Sequence, residues 1–219
     1  MNLAVFGDSW SCHSYKKGEN FKEEPGILNF QDMFANIGIQ AKNYSVYASS
    51  NQGILNRLKQ TNLENFDVAV IFQTDPLRNI IDRNKVKATG YQIKSSNLVN
   101  IAEDILLQFY QELSQIKIPI LLVGGLSCIA HQLVPKNIRT IEQSWTELVD
   151  PEFKDCYFEW VEFTELVCDY LKCNTDLTEI QQQILTKNNI WQKSDYFGWC
   201  HPSDKGYEIM FHELVKKLI

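Results

Sequence analysis

Four short, mostly apolar runs, separated by segments with helical spacing, constrain the fold of this sequence most strongly. A run of this kind, apolar on both of its faces, is typical of a strand in a parallel sheet that helices cover on both sides. The runs are LAVF at 3–6, YSVYA at 44–48, VAVIF at 68–72 and IPILLVGG at 118–125. A fifth, weaker candidate strand is CYFEWVEF at 156–163.

Four other segments carry apolar residues at three- and four-residue spacings, which predicts amphipathic helices. They are 27–38, 52–60, 97–116 and 203–219, and Gly38 is a candidate C-terminal cap. Strands that alternate with helices predict a three-layer α/β/α fold around a central, mainly parallel five-stranded sheet. With no linker or internal repeat, residues 1–219 are predicted to form one domain. Residues 79–96 have the weakest pattern and are interpreted as a loop or lid.

Charge and composition disfavour several functional classes. The formal net charge is −6 and the basic residues are scattered, so nucleic acid is not an expected partner. No apolar stretch is long enough to span a bilayer and no signal-like segment follows Met1, which predicts a cytoplasmic protein without a membrane partner. Six cysteines without paired spacing predict free thiols, with neither a disulfide framework nor a zinc site. The oligomeric state stays open.

Polar residues follow the apolar runs, where the carboxyl ends of parallel strands would meet. The segments are GDSW at 7–10, ASSN at 48–51 and QTDPLR at 73–78, and HPSDKGY at 201–207 precedes the last predicted helix. Ligands of open α/β sheets bind at this edge. A serine hydroxyl such as that of Ser9 becomes a nucleophile when a base such as His201 takes its proton. The pattern therefore favours acyl transfer through an activated serine.

GDSW near one end and HPSDKGY near the other resemble the first and last blocks of the GDSL or SGNH hydrolase superfamily. The resemblance extends from Gly7 to Gly206. It implies a flavodoxin-like α/β fold, Ser9 as the nucleophile, His201 as the base, and no metal or organic cofactor.

The resemblance also implies an oxyanion hole that includes the N–H of Ser9. The second-block backbone donor maps to Ala48, with Gly53 as the alternative. The third block is FQTDP here, which leaves Gln73 or Thr74 as the side-chain donor.

The third member of the triad is open. Family members commonly carry an aspartate three residues before the histidine, and that position is Gly198 here. Asp195, six residues before His201, is the candidate acid, and a main-chain carbonyl that orients the imidazole is the alternative.

Five residues are candidates for contacts with substrate: Asp8, Asn51, Gly53, Arg78 and Trp199. The guanidinium of Arg78 suits an anionic or carbohydrate group, or else anchors a loop. The aromatic cluster around Trp199, which also holds Trp191, Tyr196 and Phe197, is interpreted as core or as a pocket wall. His13 is interpreted as a neighbour of the site at most.

These features predict a serine esterase that forms an acyl-Ser9 intermediate with an O-acylated carbohydrate or another small ester. One alternative is an O-acyltransferase, in which a glycan hydroxyl replaces water as the acceptor. The other is a non-catalytic binding module on a decayed hydrolase scaffold, because the second and third blocks and the triad acid depart from the family pattern.

Overall fold

The computed structural model describes residues 1–17, 23–47, 49–74, 76, 95–125, 129–149, 197–198 and 201–219. The strands are β1 (Asn2–Phe6), β2 (Tyr15–Lys17), β3 (Glu23–Pro25), β4 (Gln40–Asn43), β5 (Val68–Gln73), β6 (Ile120–Gly124), β7 (Arg139–Thr140), β8 (Phe197–Gly198) and β9 (His201–Pro202). The α-helices are α1 (Phe30–Ala35), α2 (Asn51–Gln60), α3 (Ser95–Leu113), α4 (Trp145–Val149) and α5 (Asp204–Leu218). Two short 3₁₀ turns cover Ser9–Ser11 and His131–Leu133.

Five of the strands form one sheet in the order β4-β1-β5-β6-β7, and every pairing in it is parallel. Numbered along the chain, these strands stand in the order 2-1-3-4-5, which is the flavodoxin-like order. The predicted fold class is therefore confirmed. In this topology the order reverses between β1 and β5, and the crevice at their carboxyl ends is where such folds bind ligands.

Alternation along the central strands divides the apolar residues between two cores. Leu3 and Val5 of β1 pack into one core with α1, α4 and α5, whereas Ala4 and Phe6 pack into the other with α2 and α3. All four side chains are fully buried. Successive strand residues point to opposite faces, so the continuous apolar runs follow directly from helices on both faces of the sheet.

Two strands differ from the prediction. The second sheet strand is 40–43 and not 44–48, and the Tyr44 ring stacks on Phe6 with centroids 5.1 Å apart. Because β4 is an edge strand with alternately exposed residues, it lacks the apolar run that a central strand requires. The fifth sheet strand is β7, whose two residues are too few to make a pattern. The candidate strand at 156–163 lies outside the described residues.

The four predicted helical segments overlap α1, α2, α3 and α5, and the second and third of these helices begin one and two residues before the predicted start. Gly38 follows α1 with φ of 77°, a left-handed conformation that glycine adopts without strain. The candidate loop at 79–96 lies outside the described residues except for its last two, which begin α3. In the part of the chain that the structure describes, no helix is both long and apolar enough to cross a membrane.

Candidate active site

The chain turns sharply after β1, and close packing requires the glycine at this turn. A Cβ on Gly7 would lie 2.0 Å from Ser11 Oγ and 2.9 Å from Phe72 Cβ. Asp8 then caps the 3₁₀ turn, because its Oδ1 accepts the N–H of Trp10 at 3.0 Å. The turn therefore presents Ser9 at the carboxyl end of β1.

The Ser9 hydroxyl and the His201 imidazole meet at this edge although 192 positions separate them, with Oγ and Nε2 2.9 Å apart. Ser9 is 6% exposed and His201 is half-buried. His201 lies in β9, opposite Gly198 of β8, and Ser203 caps α5 just beyond it. A hydroxyl that donates to an imidazole nitrogen at this distance has the geometry that general-base activation requires.

A hydrogen-bond network supports the residue before Ser9. Oδ2 of Asp8 accepts the hydroxyl of Thr74 at 2.6 Å, and Asp8 is 4% exposed. The side-chain amide of Asn51 bonds both the N–H and the C=O of Thr74, each at 3.0 Å. Asp8 and Asn51, both candidates for substrate contacts, are therefore engaged in joining the ends of β1, β5 and α2.

Several of the predicted oxyanion donors already take part in hydrogen bonds within the chain. A hydroxyl has one proton, so the Thr74 hydroxyl does not donate to an oxyanion while it is bonded to Asp8. The oxygen of the Gln73 amide accepts the Tyr110 hydroxyl, which leaves the donor role to the amide nitrogen. The N–H of Gly53 donates to Ser50 Oγ at 3.2 Å within the cap of α2. The N–H of Ser9 is among the first of its turn, which have no partner within a helix.

Cys12 lies at the end of the nucleophile turn, and its Sγ donates to Asp8 O at 3.3 Å. Burial, and after it the charge of Asp8, raises the pKa of this thiol to about 11, against an opposing effect of Arg57. Cys12 is therefore a neutral thiol at physiological pH. Arg57 donates to Ser49 Oγ at 3.3 Å, and its buried Nη1 has no hydrogen-bond partner among the described residues.

A row of four rings leads from the surface to the candidate base. Tyr15 stacks on His201 with centroids 4.3 Å apart and planes inclined by 27°. His13 lies 4.7 Å from Tyr15 and contacts Tyr47, which is half exposed. We call His13, Tyr15, Tyr47 and His201 the ring row. The sequence reasoning missed Tyr15, because no spacing rule links a residue of the first quarter of the chain to one near its end.

Two buried hydrogen bonds join the nucleophile turn and α4 to the start of α5. The Tyr207 hydroxyl donates to Trp10 O at 2.7 Å, and the indole N–H of Trp145 donates to Gly206 O at 2.8 Å. Burial above all raises the pKa of Tyr207 well above its usual value, so this donor stays protonated. Since α5 directly follows the His201 segment, these bonds fix the base relative to Ser9.

Four of the predicted site residues lie outside the described residues: Ala48, Arg78, Asp195 and Trp199. The roles given to them therefore stay predictions. Within the described ranges, no group of three or more His, Cys, Asp or Glu side chains is arranged to hold a metal ion.

Comparisons with known proteins add the following. Neither a protein-family model nor a curated protein matches the sequence. An acetyl xylan esterase, AlAXEase, has 16% sequence identity to this chain and a TM-score of 0.47, with 100% of both chains covered. A member of the lipolytic protein G-D-S-L family from Veillonella parvula has 14% identity and a TM-score of 0.41, covering 99% of this chain and 97% of its own.

A third similar structure is the lipase/acylhydrolase from Enterococcus faecalis, at 13% identity and a TM-score of 0.40, covering 99% of this chain and 94% of its own.

Proposed function

We propose that this protein is a serine ester hydrolase of the GDSL/SGNH type, with Ser9 as the nucleophile and His201 as the base. The observation that supports this proposal is the 2.9 Å contact between Ser9 Oγ and His201 Nε2 at the carboxyl edge of the sheet. A cap and a hydrogen-bond network hold the serine turn, and α5 holds the base segment. Preorganised geometry of this kind is what acyl transfer through a serine requires.

The reaction proceeds in two halves. His201 Nε2 takes the proton of Ser9 as Oγ bonds to the ester carbonyl carbon, and it gives that proton to the departing alcohol oxygen when the intermediate collapses. Water then attacks the acyl-Ser9 carbonyl, and His201 takes a proton from it. The carboxylic acid leaves as the bond to Oγ breaks, and the proton returns to Ser9.

The oxyanion formed in each half has the N–H of Ser9 as its first proposed donor. We propose the backbone of Ala48 as the second donor and the amide nitrogen of Gln73 as the third. We assign Thr74 to the support of Asp8, because its hydroxyl proton is already donated there. With Nε2 facing the serine, the other ring proton of His201 lies on Nδ1, and Asp195 or a main-chain carbonyl is proposed to accept it.

The proposed substrate is an O-acylated carbohydrate or another small ester, and the proposed location is the cytoplasm. The N–H and hydroxyl groups assigned to the reaction belong to the chain itself, so the proposal includes no metal or organic cofactor. Arg78 and Trp199 are the proposed contacts with substrate.

A fluorophosphonate probe tests the proposal, because it modifies a serine only where the hydroxyl is activated. We expect labelling of the wild-type chain at Ser9, located by mass spectrometry of the modified peptide. Ser9→Ala should abolish labelling and ester turnover, whereas Ser114→Ala, at a half-buried serine just after the end of α3, should behave as wild type. A folded wild-type chain that stays unlabelled would instead indicate the non-catalytic scaffold.

A further inference from the structure

The segment that follows the nucleophile turn reaches the base segment through consecutive residues. The ring of Tyr15 stacks on the His201 imidazole at 4.3 Å, and the hydroxyl of Ser14 donates to Oδ1 of Asp204, three positions after that histidine. Two consecutive residues near the start of the chain therefore contact the side chains of His201 and of Asp204 near its end.

Several contacts hold Tyr15 itself in place. Tyr15 is 7% exposed, and β2, which it begins, pairs with β3 so that Tyr15 lies opposite Pro25. On its other neighbour, His13, Nδ1 lies 2.7 Å from Ser14 O, and because a carbonyl only accepts, Nδ1 carries the proton. Nε2 of His13 in its neutral form then accepts the hydroxyl of Tyr47. Two hydrogen bonds thus fix the imidazole that packs against Tyr15.

The Ser14 contact depends on a glycine. A Cβ on Gly26 would lie 2.1 Å from Ser14 Oγ and 2.8 Å from Asp204 Oδ1. The N–H of Gly26 also donates to Ser14 O at 2.7 Å, and the N–H of Leu28 donates to Ser14 Oγ at 3.0 Å. The strand pair β2–β3 therefore closes tightly around Ser14 and holds the backbone from which Tyr15 extends.

We propose that Tyr15 is a positioning residue that holds the His201 imidazole in the orientation that directs Nε2 at Ser9. This inference rests on the proposed function. An imidazole turns about two side-chain torsions, and a ring stacked 4.3 Å from it and itself 7% exposed restricts that rotation. The face of the Tyr15 ring also attracts the positive charge that His201 acquires when it takes the serine proton.

Two kinds of substitution distinguish a specific effect of the Tyr15 ring on the base from a general loss of core packing. Tyr15→Leu and Tyr15→Met remove the stacked ring, and Tyr15→Phe keeps it. Phe211→Leu is the matched control, because Phe211 is 9% exposed and packs edge-on against Phe34 in the core, with centroids 5.0 Å apart. It loses a ring of similar burial away from the base.

Three readouts are measured on folded protein: the rate constant for fluorophosphonate labelling of Ser9, kcat and KM for p-nitrophenyl acetate, and the NMR shifts of the His201 ring protons. We expect loss of the ring to lower labelling and kcat by about tenfold or more, with KM within about twofold, because misplaced reacting groups slow the chemical step. Tyr15→Phe and Phe211→Leu should stay within about twofold of wild type. The His201 ring protons should lose their upfield ring-current shift in Tyr15→Leu and Tyr15→Met and keep it in Tyr15→Phe and Phe211→Leu.

The outcomes distinguish the two proposals. A folded Tyr15→Leu or Tyr15→Met chain with wild-type kcat overturns the positioning role and leaves the proposed function intact. If the wild-type chain is not labelled at Ser9, the proposed function fails, and the positioning role, which rests on it, fails with it. His201 shifts that are the same with and without the Tyr15 ring overturn the stacking that the positioning role requires.

Discussion

Thr74 donates its hydroxyl proton to Asp8 across the reversal point of the sheet, at 2.6 Å between Oγ1 and Oδ2. This bond joins the residue after β5 to the residue that precedes Ser9. Both side chains are buried, so water does not compete for the bond. The other oxygen of the same carboxylate accepts the N–H of Trp10, and the two bonds together fix the turn that carries the candidate nucleophile.

Thr74→Val should therefore impair both stability and turnover. Valine has nearly the same shape but no hydroxyl. The buried carboxylate of Asp8 therefore loses one of the hydrogen bonds that it accepts, which costs about 1–3 kcal/mol of unfolding free energy. We expect kcat for p-nitrophenyl acetate to fall about tenfold as Ser9 shifts. Thr74→Ser, which keeps the hydroxyl, is the control and should retain most of the activity. Equal activity in both variants would contradict the role assigned to Thr74.

Two glycines provide a matched pair. Gly26→Ala places a Cβ where Ser14 Oγ and Asp204 Oδ1 now lie, so it should separate Ser14 from Asp204 and lower both the melting temperature and kcat. Gly38→Ala strains a left-handed backbone with open space around it, and should lower stability by about 1 kcal/mol without changing kcat. Thermal melts and steady-state rates on the two variants make the comparison. A normal kcat in Gly26→Ala would show that the Ser14 contact does not affect the base.

Trp145→Phe tests the anchor of α5. The indole N–H donates to Gly206 O, and the ring is fully buried against Phe30 and Phe72. Phenylalanine fills part of the space and leaves the buried carbonyl without this donor, so we expect a loss of about 1–3 kcal/mol from the carbonyl alone. Denaturant unfolding with an unchanged m-value would measure it. A loss below about 0.5 kcal/mol would mean that the carbonyl finds another partner.

Cys12 should resist alkylation at neutral pH. Its pKa of about 11 leaves about one thiol in a thousand as thiolate at pH 8, and the thiolate is the reactive form. Iodoacetamide labelling of the Cys12 peptide, followed by mass spectrometry, should be slow at pH 8 in the folded protein and should accelerate as the pH rises toward 11. Unfolded protein is the control and should react at the ordinary rate. Rapid labelling of the folded chain at pH 8 would contradict the raised pKa.

Product analysis separates hydrolysis from acyl transfer. Ser9 is 6% exposed, and a site that restricts water favours a bound acceptor hydroxyl over solvent. With an activated acetyl donor alone, we expect acetate as the product of wild-type protein. If adding a glycan acceptor diverts most of the acetyl group to the sugar, the O-acyltransferase alternative replaces the hydrolase.

The sequence alone determined the class of the fold. Runs such as VAVIF, apolar at every position, are compatible with few environments other than a strand between two layers of helices, and the structure places it in β5 with every residue buried. The same pattern did not predict the two edge strands of the sheet. Gln40–Asn43 and Arg139–Thr140 are exposed or very short, and their place in the sheet comes from pairing with a neighbour and not from their own composition.

The sequence also determined the candidate site residues at the carboxyl edge. A glycine, an acid and a serine after a buried strand, with a histidine before the last helix, suit acyl transfer. Only the tertiary structure decided how they meet: Ser9 and His201 2.9 Å apart, Thr74 bonded to Asp8, and Tyr15 stacked on the imidazole. The physical reason is that local sequence sets backbone preference and burial, whereas the partner of a buried polar or aromatic group depends on which distant segments the sheet order brings together.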